Sequence, residues 1–416
     1  MKGIDNMYEI KFENPAEKVY TPDIVSEFKG IDIETAPIKN YEGMLRPHKI
    51  EEAVKRGEAC VKEITDNKIA DFERDIAYCE KHGIENPDLM VHVSTYIIID
   101  GIVYMTYYAN NGNEHEDPAY QSARLAFCPL DKSEEMQIVE IQRVGDVLDG
   151  KKITLLYDTI LMYKGGDELY VMWTASPENN YYRFYRTFNI KTHTLGPIKA
   201  NRFKVGDVVN DFSISGMKNA LAANKIGYKH MHSDIGIMQK LSTRVENGET
   251  YYYTGAYSFN FNCIIKSRDF ITWEYVSTPD FINNSLWENA TYVLGDKVYY
   301  FVRQWECEQG FLTCYDIKND SWATPTLIAD CQSRSDFIYY NDELYLFHAP
   351  KDRNGFGMIK VNRDDLSKSE VVFVADMKSS LFYPFFSVYG DDAYISYTVD
   401  RKHIRLSKFN LKNYVK

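Results

Sequence analysis

No stretch of the chain approaches the roughly 18 consecutive apolar residues that a membrane-spanning helix needs, so a helical span is excluded. The opening MKGIDNMYEIKFENPAEK lacks the apolar core of a secretory leader, and a cytoplasmic location is expected. Cysteine is sparse. The seven residues, at positions 60, 79, 128, 263, 307, 314 and 331, are odd in number and form no CxxC pair. Reduced thiols are therefore expected, with neither a disulfide framework nor a thiolate zinc site. Positive charge is also short: 48 Lys and Arg face 60 Asp and Glu, a formal net charge of −12, with no long block of either sign. A duplex-binding protein needs a basic footprint to displace counterions, which argues against a nucleic-acid partner. The phosphate-cradling glycine loops, HExxH and GxSxG are all absent, so nucleotide, zincin and α/β-hydrolase chemistry has no support and no cofactor is expected.

Tyrosine is abundant. There are 33 Tyr, 22 Phe and 5 Trp, together 14% of the chain. Aromatic residues fit half-buried pleated surfaces, and tyrosines lining a cavity can also stack on sugars and hydrogen-bond to them. From residue 94 onward one pattern recurs: an apolar strand, a tight Gly/Asp/Asn turn, then a strand with Tyr near its start. The copies are TYIIIDGIVYMTYYA, TILMYKGGDELYVMWTA, DIGIMQKLSTRVENGETYYYTGAY, ENATYVLGDKVYYFVRQ, SDFIYYNDELYLFHAP and PFFSVYGDDAYISYT. Such turns favour residues that tolerate positive φ, which makes each copy a hairpin.

A third apolar stretch follows each hairpin, as in SARLAFCPLDKSEE and FLTCYDIKNDSWATP. A hairpin plus outer strands, repeated six times, predicts an all-β fold: a six-bladed β-propeller with an N-terminal helical segment. The hairpins are placed at 94–109, 159–175, 234–257, 288–304, 335–349 and 384–398. A strand around Tyr8 to Phe12 is expected to complete the last blade. Residues 49–83 carry apolar residues at helical spacing and read as one or two amphipathic helices, with Gly83 at a C-cap. The expected division is an extension, 1–90, leaning on a propeller, 91–416.

The segment CIIKSRDFITWEYV resembles the Asp-box turn of glycoside-hydrolase propellers: Ser267, Asp269, Thr272 and Trp273 match, one residue is missing before Thr272, and the usual Gly is absent. LFYPFFSVYGDDAYISYTVDRKHIRLSKF is similar to the closing blade of sialidase-like proteins. The resemblance, over about residues 90–416, implies a sialidase-like glycoside hydrolase. It implies Tyr383 as a nucleophile and an arginine clamp for a sugar carboxylate, with Arg334 the best candidate and Arg303 and Arg401 as further members.

The inner strands of a propeller begin near its axis, so residues just before each hairpin should share one pocket. They are His92, Tyr157 with Asp158, His230 with His232 and Asp234, Glu288, Arg334 with Asp336, and Tyr383. Each also has a plainer use, as a hydrogen bond between blades. Glycosidic cleavage needs an acid for the leaving oxygen and a nucleophile or base at the anomeric centre. Glu288, between apolar neighbours in SLWENATYV, is expected to act as the general acid because desolvation raises a carboxyl pKa, with Asp158 as its partner. His92, His230, Asp234, Arg303, Arg334 and Tyr157 are expected to bind substrate. His230, His232 and Asp234 could hold a metal, but His-x-His alone is a weak signal and none is expected. The expected partner is an oligosaccharide or glycoside. Two further readings stay open: a uronate lyase using His232, Tyr383 and Arg334, and a propeller that binds carbohydrate without catalysis.

Overall fold

The six turns read from the sequence set the architecture. In a computed structural model of the chain, the described residues are 43–72, 88–178, 180–228, 231–238, 240–259, 261–279, 286–304, 309–331, 333–350 and 352–415. At the turns, Asp100 and Gly101 take φ values of 49° and 79°, Asn247 and Gly248 51° and 84°, and Asn341 and Asp342 49° and 62°. Gly165, Gly295 and Gly390 are likewise left-handed, at 95°, 58° and 64°. Around them antiparallel pairs close as expected, with Ile99 opposite Ile102, Leu294 opposite Lys297 and Tyr389 opposite Asp392. The third copy differs in detail. Its turn joins Ser242–Glu246 to Glu249–Phe259, and His232–Ile237 pairs with the far half of that same long strand.

The strands form six sheets of four to seven strands each, an all-β, propeller-like arrangement. Strands of neighbouring sheets pack against one another. Met90–Ile99 meets Lys151–Met162, Glu249–Phe259 meets Leu286–Leu294, Leu286–Leu294 meets Asp336–Tyr340, Asp336–Tyr340 meets Phe382–Tyr389, and Phe382–Tyr389 returns to Met90–Ile99. Aromatic rings fill the space between sheets, as where Phe347 stacks on Phe386 with centroids 4.1 Å apart. Cys60, Cys128, Cys263, Cys314 and Cys331 are free and buried. No described helix is long and apolar enough to cross a membrane.

The Asp-box-like segment is a structural turn. Asp269 Oδ1 accepts hydrogen bonds from the backbone N–H groups of Ile271 and Thr272, at 2.8 and 2.9 Å, and the Ser267 hydroxyl accepts from that of Phe270 at 2.9 Å. Phe270 takes φ 64°, and Trp273 is buried against it with the two rings stacked.

The N-terminal part contributes strands as well as a helix. Met44–Leu45 runs parallel to Thr326–Ala329. Lys68–Phe72 pairs antiparallel with His403–Asn410 and forms the outer edge of the sheet that holds the C-terminal hairpin. The edge expected from Tyr8 to Phe12 is thus occupied by a different segment; Tyr8 to Phe12, and Gly83, lie outside the described residues. One helix, Glu51–Asp66, buries Ala53, Gly57, Cys60 and Ile64, a helical stripe, against Glu370–Asp376 and His403–Asn410.

Gly57 is what lets that helix approach. A Cβ there would stand 1.6 Å from the Val374 carbonyl oxygen. Alanine normally stabilises a helix interior by about 1 kcal/mol relative to glycine. Here Gly57→Ala is expected to do the opposite and lower stability by about 1–3 kcal/mol, the usual cost of overpacking, read as a fall in the urea midpoint.

Candidate active site

Five of the strands that lead into the hairpins slip in register near their starts. Pairing slips between His92 and Thr95, Tyr157 and Ile160, His232 and Ile235, Leu286 and Asn289, and Phe382 and Phe385. These are β-bulges, which lift extra residues out of the ladder and re-aim their side chains. Val93, Asp158 and Tyr383 sit at them with φ values of 52°, 53° and 50°. Such conformations cost non-glycine residues on the order of 1–3 kcal/mol, and they cluster at functional sites. The remaining inner strand begins at Asp336, just after Arg334.

At the centre, the Tyr383 hydroxyl donates to Glu288 Oε1 at 2.7 Å. Arg303 Nη1 donates to Glu288 Oε2 at 2.5 Å and to the Tyr383 oxygen at 3.1 Å. Burial pushes the Glu288 carboxyl up, but the Arg303 charge and the hydrogen bonds from Tyr383 and Arg303 outweigh it, and Glu288 is held below the ordinary carboxylate range. The general-acid role expected for Glu288 does not fit these surroundings: it is an ionised acceptor. Burial and the adjacent Glu288 charge push Tyr383 up to about 12, which keeps the phenol protonated and donating.

His92 is fully buried and presents its ring edge-on to Tyr383, with centroids 4.8 Å apart. Its Nδ1 lies 3.3 Å from the Thr398 hydroxyl and its Nε2 3.9 Å from Glu116 Oε2. Burial, then the charges of Arg401, Arg353 and Arg334, hold His92 well below its usual pKa, so it is neutral. Glu116 also accepts from the Tyr108 hydroxyl and pairs with Arg401 at 3.0 Å. The Arg353 guanidinium lies 5.1 Å from the Tyr383 ring centroid, and those of Arg353 and Arg401 lie 5.7 and 5.4 Å from that of Phe382.

In a second cluster, Arg183 Nη1 donates to Asp158 Oδ2 at 2.9 Å and to the Thr174 hydroxyl at 2.8 Å. Burial raises the Asp158 carboxyl despite Arg183 and Arg334. Asp234 is raised to about 6 through burial and then the charges of Glu288 and Asp158. The Tyr157 oxygen accepts the Ile235 N–H at 3.2 Å, and a hydrogen bond from Tyr157 to Asp234 partly opposes that rise. Gly236 leaves room for this packing: a Cβ there would stand 2.2 Å from the Tyr257 ring and 2.5 Å from Asp158 Oδ2.

His92, Glu288, Arg303 and Tyr383 therefore meet directly, and Asp158 and Asp234 join them through charge. Arg334, the expected clamp, is more enclosed than Arg353 and Arg401. It is 2% exposed, its guanidinium lies 5.9 Å from the ring centroids of Tyr383 and Phe385, and its three nitrogens have no hydrogen-bond partner among the described residues. Arg353, beside Tyr383, and Arg401, beside Phe382, are part-exposed guanidiniums. His230 lies outside the described residues, and of His232 only the backbone is described, paired with Phe259. Among the described residues no group of three or more His, Cys, Asp or Glu is arranged to hold a metal.

Arg183, Arg353 and Glu116 escaped the sequence reading because none precedes a hairpin. Glu116 left one signal: NNGNEHEDPAY joins the second and third strands of the first sheet, and such a connection returns to the end where the inner strands start.

The arrangement can take a proton from a phenol onto an ionised carboxylate, give one from a carboxyl that titrates near 6, and face an anion with guanidinium groups. No protein-family model matches the chain, and no curated protein matches it in sequence. Among solved structures, a mutant NanB sialidase from Streptococcus pneumoniae is similar at a TM-score of 0.52 and 9% identity, over 79% of this chain and 69% of that one. Trypanosoma rangeli sialidase, in complex with a difluorosialic acid, is similar at 0.53 and 12%, over 83% of this chain and 57% of that one. The chain thus spans little more than half the length of the trypanosome enzyme, and what it shares with both sialidases is the fold.

Proposed function

We propose that this protein cleaves glycosidic bonds of an acidic sugar, with Tyr383 as nucleophile and Glu288 as its base. In this reading the six sheets are six blades of a closed ring, residues 91–416, and 1–90 form an extension whose strand Lys68–Phe72 completes the last blade. The observation that carries it is the Tyr383–Glu288–Arg303 contact at the bulged strand starts. The kinship of fold with sialidases supports it.

As the Tyr383 oxygen bonds to the anomeric carbon, its proton passes over the 2.7 Å hydrogen bond to Glu288. Asp234, protonated below about pH 6, gives its proton to the departing oxygen. Water then attacks the glycosyl–tyrosine bond, Glu288 returns the proton to Tyr383, and Asp234 accepts one from the water. Arg303 keeps Glu288 ionised until the Tyr383 proton arrives.

One observation favours a second reading. A neutral His92 set against Tyr383 suits proton abstraction beside a uronate carboxylate, which would make the same site a lyase. A panel of sialosides, uronides and neutral aryl glycosides separates the two. Sugar release without a conjugated double bond supports hydrolysis. Ultraviolet absorbance of an unsaturated uronate means elimination. Binding with neither means a carbohydrate-binding propeller.

Arg353 is the proposed contact for the substrate anion. Arg353→Ala is expected to raise KM for acidic substrates about 10- to 100-fold, the worth of a charge-assisted hydrogen bond. Neutral aryl glycosides should be turned over as before, so the ratio of the two KM changes is the measurement.

A further inference from the structure

The inner strands have a second end. The residues of the Tyr383 site stand where those strands begin; their opposite ends, near Ile97, Met162, Tyr292, Ile338 and Val388, line a separate cavity of about 340 Å³. That is within the usual range for small-ligand pockets, at its lower end. Its walls are tyrosine-rich: the rings of Tyr292 and Tyr339 lie near-parallel with centroids 6.1 Å apart, and Tyr163 and Tyr389 complete the rim.

Lys240 is the one charged side chain among the described residues lining this cavity. Its ammonium donates to the Phe386 carbonyl, lies 5.2 Å from the Phe385 ring centroid, and stands 3.6 Å from Asp336 Oδ2. Lys240 keeps 16% of its side chain exposed, while Asp336 is 3% exposed. Asp336 is also the carboxylate nearest in sequence to Arg334, and the Arg334 charge acts on it. Asp158 acts more strongly on Arg334 than Asp336 does, and Asp336 stands beyond hydrogen-bond distance of Lys240, so the ammonium that lines the cavity is loosely paired. A buried charge left short of compensation is costly, so an anion arriving from the open side would be favoured.

We propose that this end of the channel binds a small cyclic carboxylate, its ring against the tyrosine faces and its carboxylate on Lys240. A carboxylate can accept a hydrogen bond from the ammonium, and a flat or saturated ring can pack against the outer face of an aromatic ring. The site is distinct from the Tyr383 pocket and does not depend on the activity proposed there.

The test is calorimetric titration of the full chain carrying Arg353→Ala, which removes the proposed carboxylate contact at the catalytic end. The probes are benzoate, glucuronate and, as the uncharged control, glucose. Benzoate and glucuronate should bind, with glucose at least ~10-fold weaker. Adding Lys240→Met or Tyr292→Ala should weaken both acids at least ~10-fold, whereas adding Tyr383→Phe should leave them unchanged. Tyr292 is only half-buried, so Tyr292→Ala decides the matter if Lys240→Met fails to fold. The proposal is overturned if neither acid binds, if glucose binds as well as they do, or if Tyr292→Ala is silent while Tyr383→Phe abolishes binding.

Discussion

Tyr383→Phe is expected to lower kcat by at least ~10³-fold, with the fold and substrate affinity intact. The change removes one oxygen that donates at 2.7 Å to Glu288 and accepts at 3.1 Å from Arg303. Without it no covalent bond to sugar can form, and Glu288 has no proton to collect. Glu288→Gln should be nearly as severe, ~10²- to 10⁴-fold, because a neutral amide cannot take the phenol's proton. Leaving groups tell the two kinds of defect apart. An aryl group that departs without protonation should rescue a variant lacking the acid and leave Tyr383→Phe and Glu288→Gln inactive. Turnover above about a tenth of wild type in Tyr383→Phe would remove Tyr383 from the role of nucleophile.

The second large effect concerns pH. Glu288 must be ionised and Asp234 protonated, so kcat/KM should rise as Glu288 loses its proton below the ordinary 4.5 and fall as Asp234 loses its own near 6. Asp234→Asn should erase the alkaline limb and cost ~10²-fold or more with leaving groups that need a proton. The same residue links activity to stability. Its carboxyl pKa is raised on folding from 3.8 to about 6, so the folded state binds this proton more tightly than the unfolded chain. That contribution is full below the unfolded value and is lost as pH climbs through the folded one. Above pH 6 the native protein therefore carries a buried, ionised Asp234 at a cost of roughly 2–3 kcal/mol. Asp234→Asn should accordingly raise the urea midpoint at pH 8 and change it far less at pH 4. An equal shift at both would assign the gain to packing.

The six hairpins were legible because their turn residues are local chemistry: Asp-Gly, Asn-Gly and Asn-Asp announce positive φ without help from the rest of the chain. The strand Lys68–Phe72 was not, because five residues embedded in a helical-looking stretch reveal their partner only when the C-terminal strand lies beside them. The positions of His92, Asp158, Glu288 and Tyr383 followed from periodicity, but the bulges that hold them did not, since register is a property of two strands. The charge state of Glu288 was misjudged for a reason that counting could have removed. Counting outward from the turn that sets Leu294 opposite Lys297 brings position 288 close to position 303, and Arg303 is the neighbour that favours the ionised carboxyl. Arg353 and Arg183 gave no such signal. They reach the site from outside the inner strands, by tertiary packing alone.

The bulges also bear on how such a ring can change over time. A residue lifted out of its ladder is not counted in the register, so replacing it need not slide the strand or turn its neighbours over. Five of the six sheets thus hold one address at the site that can be rewritten without consulting the others. Substitutions at Asp158, Glu288 and Tyr383 should alter what the pocket does in combination, yet leave each hairpin's pairing as it was. New specificities can then arise one sheet at a time, on a scaffold whose folding instructions lie in the turns at the other end of the strands.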